Sequence, residues 1–105
     1  MTGRKYSKQI KSSSVVNLTE REINVYEEDG NIATFPPSRQ QLPEYQPGKY
    51  YIVSEDNKTA LSLERRDLLY ANYIGVGSES QALYHLHAAN GRHGVDIKLR
   101  RYGSY

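Results

Sequence analysis

The sequence contains no cysteine and no tryptophan, and only one phenylalanine and one methionine. Without cysteine there is no disulfide framework, no thiolate zinc site and no cysteine nucleophile. That lack fits a cytosolic chain without requiring one. No apolar run approaches the length that spans a bilayer, and the opening residues carry no signal-peptide pattern, so a soluble, cytoplasmic protein is expected. Hydrophobic residues make up 37% of the 105. A chain of this size supports one domain with a modest core and leaves little room for an elaborate catalytic cavity.

In place of the usual large hydrophobics stand ten tyrosines. A tyrosine buries its ring while keeping a hydroxyl wet, which suits thin sheets and binding faces. Charge is segregated beneath a net of +2. Residues 1–14 carry Arg4, Lys5, Lys8 and Lys11 and no acid. Residues 92–105 carry Arg92, Lys98, Arg100 and Arg101 against Asp96. Between them lie six basic and eleven acidic residues. Basic ends on an acidic body can meet an acidic partner or nucleic acid, or remain ordinary solvated charge.

The first 14 residues bury too little apolar surface to offset their ordering entropy, and read as a flexible basic tail before a single globular domain over 15–105. Order is expected from Val15. After the short run SVVNL, Ile23 and Val25 alternate with Glu22, Asn24 and Tyr26, the period of a half-buried strand. Asp29-Gly30 is a tight-hairpin signal, IATF returns as the partner strand, and Pro36-Pro37 ends the pairing. The stretch SRQQLPEYQPG reads as a proline-rich loop, either a plain crossover or a binding surface. KYYIVS has the continuous apolar centre of a central strand. A short helix over about 59–66 and a strand near 68–76 follow. Residues 79–89 carry both helix-capping and strand signals. Val95, Ile97 and Leu99 then alternate with Asp96, Lys98 and Arg100 as a last strand. The expected fold is α+β: a small β-rich domain of antiparallel hairpins with one or two short helices.

Few residues suggest chemistry. His85 and His87 would point the same way on a strand, with His93 beyond the next turn, but no carboxylate completes a ligand set, and no metal or cofactor is expected. GVGSES lacks the lysine and spacing of a phosphate loop. Glu27, Glu28 and Asp29 sit in a turn, where carboxylates are ordinarily solvated rather than tuned for acid–base work. No nucleophile, base and orienting acid can be assembled, and the protein is not expected to be an enzyme. KLRRYGSY interleaves cations with tyrosines, which can hold phosphates and stack bases. A nucleic-acid reading would use Arg4, Lys5, Lys8, Lys11, Lys98, Arg100, Arg101 and Tyr102. The chain has neither an aromatic RNP-type motif nor a GXXG loop. The same Arg and Tyr residues would serve equally as anchors at a protein interface.

The stretch VVNLTEREINVYEEDGNIATFPPS resembles a group of small, largely uncharacterised proteins of phages and prophages that open on a Val-Asn-Leu-Thr strand. The positions that carry the resemblance are Val16, Asn17, Leu18, Thr19, Ile23, Gly30, Pro36, Pro37 and Ser38. It continues through YYIVS, RRDLLY and the final NGR turn, so it covers most of the chain after the tail. Members of that group often have Pro-His where this chain has Glu20-Arg21, glycine where it has Arg39, and a longer insert before the YIVS strand. The resemblance implies a phage origin and a shared fold, and supplies no catalytic residue. In kind the chain is similar to the small anti-CRISPR proteins that inhibit Cas9-type nucleases by binding. On that reading it evades host defence in the bacterial cytoplasm by occluding a nucleic-acid surface. An acidic patch of Glu27, Glu28, Asp29, Glu44, Glu55 and Asp56 is the candidate contact with the nuclease's positive channel. A direct nucleic-acid binder and a minor virion or assembly protein are the alternatives.

Overall fold

In the computed structural model, the described residues are 6–54, 65–77, 80–89 and 95–101. They form one eight-stranded sheet. The strands are β1 (Tyr6–Lys11), β2 (Val15–Asn17), β3 (Ile23–Tyr26), β4 (Ile32–Phe35), β5 (Tyr50–Val53), β6 (Leu68–Val76), β7 (Ala82–Ala88) and β8 (Val95–Arg100). Their order is β1-β8-β7-β6-β5-β2, with the β3–β4 hairpin attached to β7 through β3. The two end strands are consecutive in the chain, joined only by a 3-10 turn at Ser12–Ser14. The sheet therefore curls until its ends meet. Lys8 on β1 lies over the Tyr50 ring of β5, 5.0 Å from its centroid.

The curl encloses one core to which every strand contributes: Ile10, Val15, Ile23, Val25, Phe35, Ile52, Leu69, Tyr84, Leu86, Ile97 and Leu99. A second cluster of Tyr51, Val53, Leu68 and Ala89 lies on the other face, packed by Val16, Leu18, Leu42 and Tyr70. β5 is thus buried on both sides, which explains its unbroken apolar run. Leu42 reaches that cluster from the proline-rich loop. The loop is tied down by Arg65, whose Nη1 donates to the Pro43 carbonyl at 2.6 Å. Arg65 also grips Asp67, with Nε donating at 2.9 Å and Nη2 contacting the second oxygen. Asp67 is only 1% exposed, and its carboxylate raises the guanidinium pKa above the ordinary range. The loop is a crossover that shields the second cluster.

Several expectations change. The sheet is mixed: β1–β8, β2–β5 and β5–β6 are parallel, whereas β3–β4, β6–β7 and β7–β8 are antiparallel. Residues 6–11 are not a tail. They pair in parallel with all of β8, Ile10 opposite Leu99, so backbone bonds to an existing strand supply what composition could not. Residues 82–88 are a strand with Tyr84 and Leu86 in the core; packing overrides the local helix signals. The turn after β3 is longer than a two-residue hairpin. The Gly30 N–H donates to the Glu27 carbonyl at 3.0 Å, with Gly30 at φ +91°, a conformation that favours glycine. Among the described residues the only helical turn is Ser12–Ser14, and no helix is long and apolar enough to cross a membrane. The helix expected over 59–66 falls mostly outside the described residues.

Candidate functional site

Geometry first changes the two charged candidates. Glu27 bridges to Leu99 in parallel, and the Glu28 N–H donates to the Leu99 carbonyl at 2.7 Å. The acidic turn therefore lies against the end of basic β8. Glu28 meets Arg100 Nε at 3.2 Å and accepts from Gln9 Nε2 at 3.0 Å, while Arg100 Nη1 donates to Gln9 Oε1 at 2.9 Å. The Glu27 carboxylate, 4% exposed, meets Arg101 Nη2 at 3.3 Å. Asp29 turns inward on its own loop and accepts from the Asn31 backbone at 3.0 Å and from its side chain at 2.9 Å. The bond from the Asn31 backbone is the main reason its carboxyl sits below the ordinary 3.8. Acid and base cancel where they meet. The turn is not a free acidic patch, and neither Arg100 on β8 nor Arg101 just after it is a free cation.

The other charged candidates are scattered. Glu44 is exposed on the proline-rich loop, Lys11 is exposed at the end of β1, and Lys98 pairs with Asp96 at 3.1 Å. Arg4, Lys5, Glu55, Asp56, Tyr102 and His93 lie outside the described residues. His85 and His87 oppose Asn72 and Tyr70 across β6–β7. No group of three or more His, Asp or Glu among the described residues is placed to hold a metal. In the glycine stretch, the Gly77 N–H donates to the Gln81 carbonyl at 2.7 Å, so that amide closes a hairpin rather than facing a phosphate.

The concave feature lies elsewhere. β6 and β7 run on together past the end of β5, and their inner row continues out of the core from Leu69 to Ala71 and Tyr73. Here a cavity of about 620 Å³ opens. On one side are Ala71, Tyr73, Ala82 and Tyr84. Thr19, Arg21, Ile23, Val53, Ser54 and Tyr70 complete the lining. Tyr73 and Tyr84 meet edge to face with ring centroids 5.9 Å apart. Tyr84 is 7% exposed and anchors the pair, whereas Tyr73 is 62% exposed at the rim. Ile74 and Val76 lie exposed beyond it.

Asn17 holds the Thr19–Arg21 part of the lining in place. Its side chain is 2% exposed, and Nδ2 donates to the carbonyls of Arg21 at 2.7 Å and Phe35 at 2.8 Å. Oδ1 accepts from the Thr19 N–H at 2.9 Å and from Thr19 Oγ1 at 2.6 Å. The Asn17 carbonyl accepts from the Ser38 N–H at 3.0 Å, and Asn17 bridges to Pro37. The Val-Asn-Leu-Thr and Pro-Pro-Ser ends of the 15–38 unit are thus fastened together at one amide. Nearby, Asn24 accepts from Thr34 Oγ1 at 2.8 Å and donates to the Ala82 carbonyl at 3.2 Å, holding the β3–β4 hairpin to the arm.

The lining has no carboxylate, and its one hydroxyl on the Asn17 side, Thr19 Oγ1, is engaged by Asn17 and the Arg21 carbonyl. Aromatic rings, small apolar side chains and a guanidinium suit reception of a partner's side chain rather than bond making. Sequence reasoning missed Asn17, Thr19, Arg21, Tyr73 and Tyr84 as a group. The tyrosine content was the one signal that pointed towards such a face. Comparison with protein-family models, with curated proteins and with solved structures finds no match to this chain.

Proposed function

We propose that this chain is a non-enzymatic phage accessory protein that binds a host protein in the bacterial cytoplasm. On the family resemblance, a guide-loaded Cas9-type nuclease is the first partner to test, inhibited by occlusion of a nucleic-acid surface. The contact is assigned to the cavity rim rather than to the acidic turn. The observation that carries this reading is Tyr73, a large aromatic left 62% exposed beside a cavity whose lining holds no carboxylate, and backed by a buried ring. Aromatic anchors of this kind concentrate binding energy at protein interfaces. Binding DNA or RNA directly through the termini is the weaker reading, because Arg100 and Arg101 are matched by Glu28 and Glu27.

The test mixes the purified protein with guide-loaded nuclease and target DNA, and follows complex formation and cleavage. A stoichiometric complex with lost cleavage, and no binding to DNA alone, is expected. Tyr73→Ser should weaken that complex by about thirtyfold, the effect of losing one interface anchor. Unchanged cleavage with no complex refutes the partner. A complex indifferent to Tyr73→Ser refutes the site.

A further inference from the structure

The β6–β7 arm has a second property, independent of the proposed partner. β5 pairs with β6 only as far as Val53 opposite Tyr70, yet β6 continues to Val76. Residues 71–76 pair with β7 on one side, and no strand among the described residues pairs with them on the other. Native edges are ordinarily guarded by charge, by proline or by being short. Residues 70–77, Tyr-Ala-Asn-Tyr-Ile-Gly-Val-Gly, contain neither charge nor proline. Tyr73, Ile74 and Val76 are exposed there, at 62%, 44% and 64%. The single protective device is the irregularity between Tyr73 and Gly75, which bends the arm without charging it.

We infer that this edge pairs with the same edge of a second copy of the chain, antiparallel across a twofold axis. Charge selects the occupant. An added strand is held by main-chain hydrogen bonds and selected by its side chains, and this edge offers no charge with which to select or orient a charged foreign strand. A twofold antiparallel seam asks only that the strand be compatible with itself, and an uncharged strand sets no like charges opposite each other. The seam is short beside the interface of a permanent dimer, and the bend shortens it further, so the pairing is reversible and rises with concentration. Arg21 and Tyr84, which line the cavity from other elements, stay outside the seam.

Sedimentation velocity from low-micromolar to millimolar protein tests this, alongside hydrogen exchange on the same samples. The expected result is a monomer–dimer equilibrium in which backbone amides within 71–76 exchange more slowly as dimer accumulates. Ile74→Lys and Val76→Lys, each at an exposed position, should raise the dissociation constant more than about tenfold while leaving the circular dichroism unchanged. A monomer at every concentration overturns the inference. So does a dimer that neither lysine weakens, or one whose protection falls outside 71–76.

Discussion

Replacing Asn17 with alanine removes four hydrogen bonds from one amide that is 2% exposed. The Arg21 carbonyl keeps a bond from Thr19 Oγ1 at 3.0 Å. The Phe35 carbonyl and the Thr19 N–H lose the partners that Asn17 gives them. Each buried group stranded in this way costs about 1–3 kcal/mol, and water entering from the cavity side recovers part of it. The expected net loss is about 3 kcal/mol, equivalent to a fall of roughly 15 °C in the thermal midpoint of a domain this size. Thermal and urea unfolding followed by circular dichroism measure it. Asn17→Asp sharpens the test, because it keeps the acceptor for Thr19 but sets an oxygen against two carbonyls. At neutral pH it should be at least as damaging as alanine, and its defect should shrink on acidification as the carboxyl gains a proton to donate. A loss below about 1 kcal/mol for alanine would refute the view that this amide fastens the 15–38 unit.

Backbone strain at Arg39, the Arg65–Asp67 pair and the Asp29 turn each make a measurable contribution. Arg39 has φ +59°, so Arg39→Gly should stabilise the fold by about 0.5–1 kcal/mol in urea titrations. Arg65→Met strands a carboxylate that is 1% exposed and frees the proline-rich loop, and should cost about 3 kcal/mol in urea unfolding at neutral pH. The Asp29 carboxyl is lowered from 3.8 chiefly by the bond from the Asn31 backbone, so its support is complete above 3.8 and is lost as pH falls through the lowered value. Thermal midpoints measured across that range should fall less steeply for Asp29→Asn than for the native chain.

Strands whose side chains alternate, or whose apolar run is continuous, were legible: Ile23 and Val25, Tyr51 to Val53, Ile97 and Leu99 are buried as their patterns require. Pairings were not, because period and turn chemistry describe neighbours in sequence. β1 shows only Ile10 as a large apolar residue, and its order depends on β8, which lies at the other end of the chain. The same distance hid the clasp between Glu28 and Arg100, and two charged surfaces that look separate in sequence are one place in the fold. At 82–88 the helix and strand signals were balanced locally, and burial of Tyr84 and Leu86 decided between them. The role of Asn17 was not legible, because nothing in sequence says that its amide reaches the Phe35 carbonyl.

The central claim is that binding belongs to the cavity rim around Tyr73, where Arg21 is the one charged side chain of the lining, and not to the charged ends. The affinity of the native chain for guide-loaded Cas9-type nuclease, measured as a function of salt concentration, tests it most directly. Contact through Tyr73 and the cavity predicts an affinity nearly constant from low to high salt, since little charge is neutralised. A steep, log-linear fall with salt would mean that charged groups carry the interaction, and would contradict the account.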